Sequence, residues 1–183
     1  NLGTPNYFEA YAVEMGFPIE KTVEAVELLF SEAEARRKRG PNHLSPPALR
    51  FTRRIDAHLS MADGRDTATI EIGMLGGGKE HPEILAYGKK FLLEYQELFL
   101  SKGLGARPHL GLDLEVVKGT AAAEKIFPRF GAWRALYEEF NSTGVFNNPM
   151  TDRLGISVTS GSSCPRPSLP ACPAASLPGC GCP

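Results

Sequence analysis

Two hydrophobic periods alternate along this chain, and their order restricts the fold more than any other feature. Two stretches, 19–39 and 82–102, carry apolar side chains at helical spacing. In the first, Val23, Val26, Leu29, Phe30 and Ala33 form the apolar stripe. Glu20, Glu24 and Glu27 come early and Arg36, Arg37, Lys38 and Arg39 late, as the helix dipole favours. In the second, Leu85, Leu92 and Phe99 recur at heptad spacing beside Ile84, Phe91, Tyr95 and Leu98. Four shorter stretches alternate instead with period two. These are 7–15, with Tyr11, Val13 and Met15 on one face; 48–55, with Leu49 and Phe51 inward; 67–74, with Ile70, Ile72 and Met74 inward; and 107–114, with Leu110, Leu112 and Leu114 inward. Gly16 and Pro18 close the first strand, Gly40-Pro41 and Gly103 stop the helices, and Asp63-Gly64 marks a turn region.

The resulting order is strand, helix, strand, strand, helix, strand. It predicts an α+β fold of the ferredoxin-like (split βαβ) kind, an antiparallel sheet with both helices on one face and the other face uncovered. A short helical stretch near 121–126, an amphipathic helix over 131–140 and an irregular segment over 141–155 complete a unit expected to span 1–155. The remainder, 156–183, is rich in Pro, Ser and Ala and poor in large apolar groups, so it is expected to be a disordered tail. All four cysteines (Cys164, Cys172, Cys180 and Cys182) lie there, spaced C-x7-C-x7-C-x-C without histidine, a poor zinc pattern; no metal site is expected.

A formal net charge of -1 gives no field for nucleic acid, and no apolar run approaches the ~20 residues of a bilayer helix. Neither a nucleic-acid partner nor a membrane span is expected. The chain opens on Asn1 without a basic-then-apolar leader, which reads as a mature chain or a fragment, with localisation left open.

Strand alternation places Arg50, Thr52, Glu71, His109 and Asp113 on the uncovered face. In water, Arg50 and Glu71 would be a cross-strand ion pair of little energetic weight; under a covering domain, the same groups would have to pair and would orient or deprotonate a hydroxyl. The segment GMLGGGK (73–79) fits a phosphate-loop pattern, but Glu80 stands where Mg²⁺ coordination requires Ser or Thr, so the glycines are read as a tight turn. His43, His58 and His81 are isolated, and no C-x-x-C, H-E-x-x-H or G-x-S-x-G motif occurs.

Four segments in order, SPPALRFT (45–52), TIEIGML (69–75), RPHLGLDL (107–114) and TGVFNNPMTDRL (143–154), resemble the C-terminal half of flavin cholesterol oxidases of the vanillyl-alcohol oxidase superfamily. More distantly, they resemble its sugar-lactone oxidases. The resemblance implies the cap, or substrate-binding, region of an FAD-dependent alcohol oxidase with oxygen as acceptor, the FAD being held mainly by a domain missing from this chain. The open sheet face would then lie over the flavin ring. It implies catalytic roles for Arg50, Glu71 and His109, substrate binding by Thr52, Arg107 and Asp113, and cofactor or inter-domain hydrogen bonds from Asn147 and Asn148.

Arg50 matches the arginine of a Glu-x-Arg pair whose glutamate is here Ala48. Arg107 and His109 match an Arg-Pro-His-Trp-x-Lys run in which Leu110 and Leu112 replace the tryptophan and the lysine. The missing ammonium argues for a hydrophobic, sterol-like alcohol over a lactone or polyol. An aldonolactone oxidase cap and a free-standing ferredoxin-like binding module are the alternatives.

Overall fold

The computed structural model describes residues 10–39, 45–75, 82–112 and 115–158. In chain order these form β1 (Ala10–Pro18), a 3-10 turn (Ile19–Lys21), α1 (Thr22–Arg39), β2 (Ala48–Thr52), β3 (Thr67–Leu75), α2 (Pro82–Ser101) and β4 (Arg107–Pro108). A second 3-10 turn (Leu110–Leu112) leads to α3 (Thr120–Ile126), α4 (Phe130–Phe140) and α5 (Pro149–Leu154). The four strands form one antiparallel sheet in the order β2-β3-β1-β4, the split βαβ arrangement expected from the two periods.

The central strands follow their alternation. Val13, Met15 and Phe17 of β1 and Ile70, Ile72 and Met74 of β3 are buried on one face, against Phe91, Leu92, Tyr95 and Phe99 of α2 and Ala25 and Leu29 of α1. Edge-to-face contacts tie the aromatic centre together, with ring centroids 5.0 Å apart for both Phe17–Phe99 and Phe91–Tyr95. Gly103 ends α2 at φ +68°, a left-handed cap that glycine adopts without Cβ strain.

Five expectations are corrected. β1 continues past Met15 to Pro18, because Gly16 is there to let another segment approach: a Cβ on it would stand 2.6 Å from Met61 Cβ. The buried stripe of α1 runs through Ala25 and Leu29, while Val23 and Phe30 face outward. The side chain of Arg36 does more than complement the helix dipole; its guanidinium stacks over Phe91 and Tyr95 at 4.8 and 4.7 Å and pairs with Glu32 and Glu94. β2 stops at Thr52, and Leu49 and Phe51, which share the face of their partners Ile70 and Ala68, stay 45% and 62% exposed because the helices pack mainly on β1 and β3. β4 is only two residues long. The apolar residues after it bend into the 3-10 turn, and Leu110 packs on a second core.

That second core gathers Val117, Ala123, Phe127, Phe130, Leu154 and Ile156, with Trp133 stacked on Tyr137 at 5.3 Å beside it. It contains an element read from sequence as irregular. Asn148 caps α5 through its side chain, Thr151 returns the bond to the Asn148 N–H, and Pro149 fills the first helical position. Ile156 is buried beyond the boundary placed at 155. The tail from 159 onward with its four cysteines, the GGGK segment 76–79, Gly40-Pro41, His43, His81, Asp113 and Leu114 lie outside the described residues.

Candidate active-site face

The sheet face away from α1 and α2 is divided in two. At one end the connection 53–66 folds over Gly16 and Thr67, and Arg107 pins it: the Arg107 guanidinium is buried and its NH1 donates to the carbonyls of Asp63 at 2.8 Å and Met61 at 3.3 Å. Arg65 lies alongside, donating to the carbonyls of Gly105, Gly16 and Met61. Burial, reinforced by the Arg107 charge, pushes Arg65 down to about 10, which still leaves it charged at neutral pH. The face is therefore not uncovered throughout, and Arg107, expected to bind substrate, spends hydrogen bonds on holding a loop.

Asp63 is the matching anion. It is buried, and its carboxylate accepts from Arg129 Nε at 2.9 Å and from Arg129 NH2, while Asp56 takes the remaining Arg129 nitrogen. The hydrogen bonds from Arg129 hold the Asp63 carboxyl below its usual value, against the opposing effect of burial. A folded-state value below the unfolded one means that this stabilisation is complete above the ordinary carboxylate range, at about pH 4, and is lost as pH falls through the lowered value. Asp63→Asn is expected to flatten the acid side of the stability curve, measured by urea unfolding between roughly pH 5 and 2. Parallel curves for variant and parent would contradict the assignment.

At the other end the face stays polar and open. Arg50, projecting from β2 with 58% of its side chain exposed, donates from NH1 to Glu14 Oε1 at 3.3 Å and from NH2 to Glu71 Oε2. Thr69 Oγ1 donates to the same Glu14 oxygen at 2.7 Å. Arg50 and Glu71 are thus brought together as the alternation implies. Thr52 sits on the same face, paired with Thr67 and exposed.

Glu14 was missed, although the burial of Val13 and Met15 places it on this face by alternation. His109 is not on a strand. Its backbone N–H reaches the Glu14 carbonyl at 2.9 Å, but its exposed ring turns back to accept from the Gly111 N–H at 3.1 Å. Its side chain makes no hydrogen bond to the Arg50 group among the described residues.

Asn147 and Asn148 are committed locally. Asn147 Oδ1 accepts from Tyr137, Asn141 and the Val158 N–H, its Nδ2 donates to the Val158 carbonyl, and Asn148 caps α5.

A family model described as "ALO: D-arabinono-1,4-lactone oxidase" matches residues 2–154, most of the chain. The chain belongs to this lactone oxidase family. It is also 29% identical over 148 residues to the L-gulonolactone oxidase of Bos taurus, covering 80% of this chain and 31% of that protein. The chain therefore spans about a third of the length of this curated relative.

The match falls on the branch that the resemblance had put second. Leu110 and Leu112, which lie in a 3-10 turn after the short β4, do not remove the chain from the lactone oxidase family, because the family match runs through them. No described helix is long and apolar enough to cross a membrane.

Proposed function

We propose that this chain forms the substrate side of an FAD-dependent oxidase acting on a sugar lactone, with the open polar end of the sheet turned toward the flavin ring. The observation that carries the reading is a coincidence of family and geometry. Over the residues matched by the lactone oxidase family, one guanidinium is anchored by two carboxylates yet keeps more than half its surface open. The donors of this face are side-chain groups suited to ring carbonyls and substrate hydroxyls, not a row of backbone N–H groups suited to a diphosphate. The diphosphate of FAD is accordingly assigned to a segment away from this face. Bound flavin would supply the hydride acceptor, which oxygen reoxidises.

The chain's own residues would act by orientation. Arg50 would hold a substrate oxygen, Glu71 and Glu14 would fix the guanidinium, and the hydroxyl of Thr52 would contact the polar rim of the substrate. The same face under a sterol would offer several charges to a molecule with one hydroxyl, so a polyhydroxylated substrate uses it better.

The test is peroxide formation by the complete flavoprotein containing this chain, given aldono-1,4-lactones and, separately, a 3β-hydroxysterol. Turnover of the lactones alone supports the proposal. Turnover of the sterol alone would return the chain to the sterol branch. A protein with neither flavin nor activity would reduce the face to a solvated ion-pair patch.

A further inference from the structure

Glu14 is a carboxylate at the centre of the sheet, 7% exposed, whose β3 partner in the antiparallel register is Glu71. Like charges directly opposite each other on neighbouring strands repel, and burial sharpens the cost. The arrangement persists because one guanidinium bridges both: Arg50 NH1 meets Glu14 and NH2 meets Glu71. The next position in the row, across from Glu71 on β2, is Ala48, which adds no third carboxylate to a single cation.

The two acids are not equivalent. Glu71 keeps 27% of its side chain exposed and makes one hydrogen bond from this group, whereas Glu14 is nearly sealed and its Oε1 takes two, from Arg50 and from Thr69. A buried acceptor held by a neighbouring hydroxyl has little freedom, so it fixes the direction of whatever it binds.

We infer that Glu14 is the positioning residue of the site: anchored by Thr69, it holds the Arg50 guanidinium so that its remaining N–H groups point at the substrate. Glu71 balances the second nitrogen. This rests on the lactone oxidase reading above, and it adds a residue from β1 that acts through Arg50 without touching substrate.

The experiment measures anaerobic flavin reduction by an aldono-1,4-lactone in the complete flavoprotein. Glu14→Gln keeps the shape and the acceptor for Thr69 but removes the charge. It is expected to slow reduction at saturating lactone roughly 10- to 100-fold, the loss typical of a charged hydrogen bond, with the half-saturating concentration changed by less than about 3-fold. Adding Ala48→Glu returns a carboxylate to the same row and is expected to recover at least about 10-fold of that loss, which no purely structural role of Glu14 would allow.

If Glu14→Gln melts with the parent but reduces flavin within about 2-fold of the parent rate while Arg50→Ala is impaired, Glu14 has no positioning role and the lactone oxidase reading survives. An impaired Glu14→Gln variant that Ala48→Glu leaves impaired also overturns the inference. If Arg50→Ala itself has no effect, the proposed site fails as a whole. Should Glu14→Gln not fold, Thr69→Val removes the anchoring hydroxyl and is expected to slow reduction by about 3- to 10-fold; an unchanged rate sinks the inference equally.

Discussion

Arg50→Ala, in the complete flavoprotein, is expected to slow reduction of the flavin by an aldonolactone by about 100- to 1,000-fold, equivalent to roughly 3 to 4 kcal/mol of barrier. The magnitude follows from the proposed placement: a fixed donor at a reacting centre does far more than a cation in water. Stability should fall by less, about 2 kcal/mol, because Arg50 itself is more than half exposed while its loss leaves buried Glu14 opposite Glu71 without their shared cation. The control is Arg53→Ala. Arg53 lies just beyond the end of β2, is exposed, and makes no ion pair among the described residues. Stopped-flow bleaching of the flavin and chemical denaturation separate the two effects. Equal, small effects of both substitutions on reduction would take Arg50 out of the active site.

The stability of the unit rests elsewhere. Phe99 is fully buried and lies edge-to-face on Phe17 at 5.0 Å and tilted against Tyr95 at 6.3 Å, so it joins α2 to β1 and to its own helix. Phe99→Ala is expected to cost about 3 to 5 kcal/mol, through lost burial plus the cavity left among rings too large to collapse into it. That is a large part of the stability of an ordinary domain. Urea unfolding of the chain measures it through the shift in midpoint. A loss below about 1 kcal/mol would mean that the aromatic centre is not packed as described.

Why some of this was readable and some not follows from what each element packs against. β1 and β3 are central strands with one buried face, so Val13, Met15, Ile70, Ile72 and Met74 declare their side by alternation alone. The same alternation gave the correct face for Leu49 and Phe51, but it carries no information on whether a helix reaches over an edge strand, and here none covers them well. Leu110 and Leu112 alternate like a strand and are part of a 3-10 turn. Period two over so few residues does not separate the two, and the second core that receives Leu110 is closed by Leu154 and Ile156, far along the chain.

Helix α5 was announced by Asn148, Pro149 and Thr151, but its capping box closes through a threonine rather than the Glu or Gln that the usual pattern requires. At the site, alternation located Arg50, Thr52 and Glu71 on one face. Glu14 escaped because β1 was read for its apolar side, and Arg107 was given a substrate role because nothing local reveals that the carbonyls of Met61 and Asp63 arrive at its guanidinium.

On the proposed reading, the open end of this sheet face, around Arg50, meets a sugar lactone beside the flavin ring. A crystal structure of the complete flavoprotein with an aldono-1,4-lactone bound tests it most directly. A lactone oxygen is expected at about 2.7 to 3.2 Å from an Arg50 nitrogen, with Glu14 and Glu71 still holding the guanidinium. A lactone bound elsewhere, with Arg50 open to solvent on a face that the flavin does not approach, would contradict it.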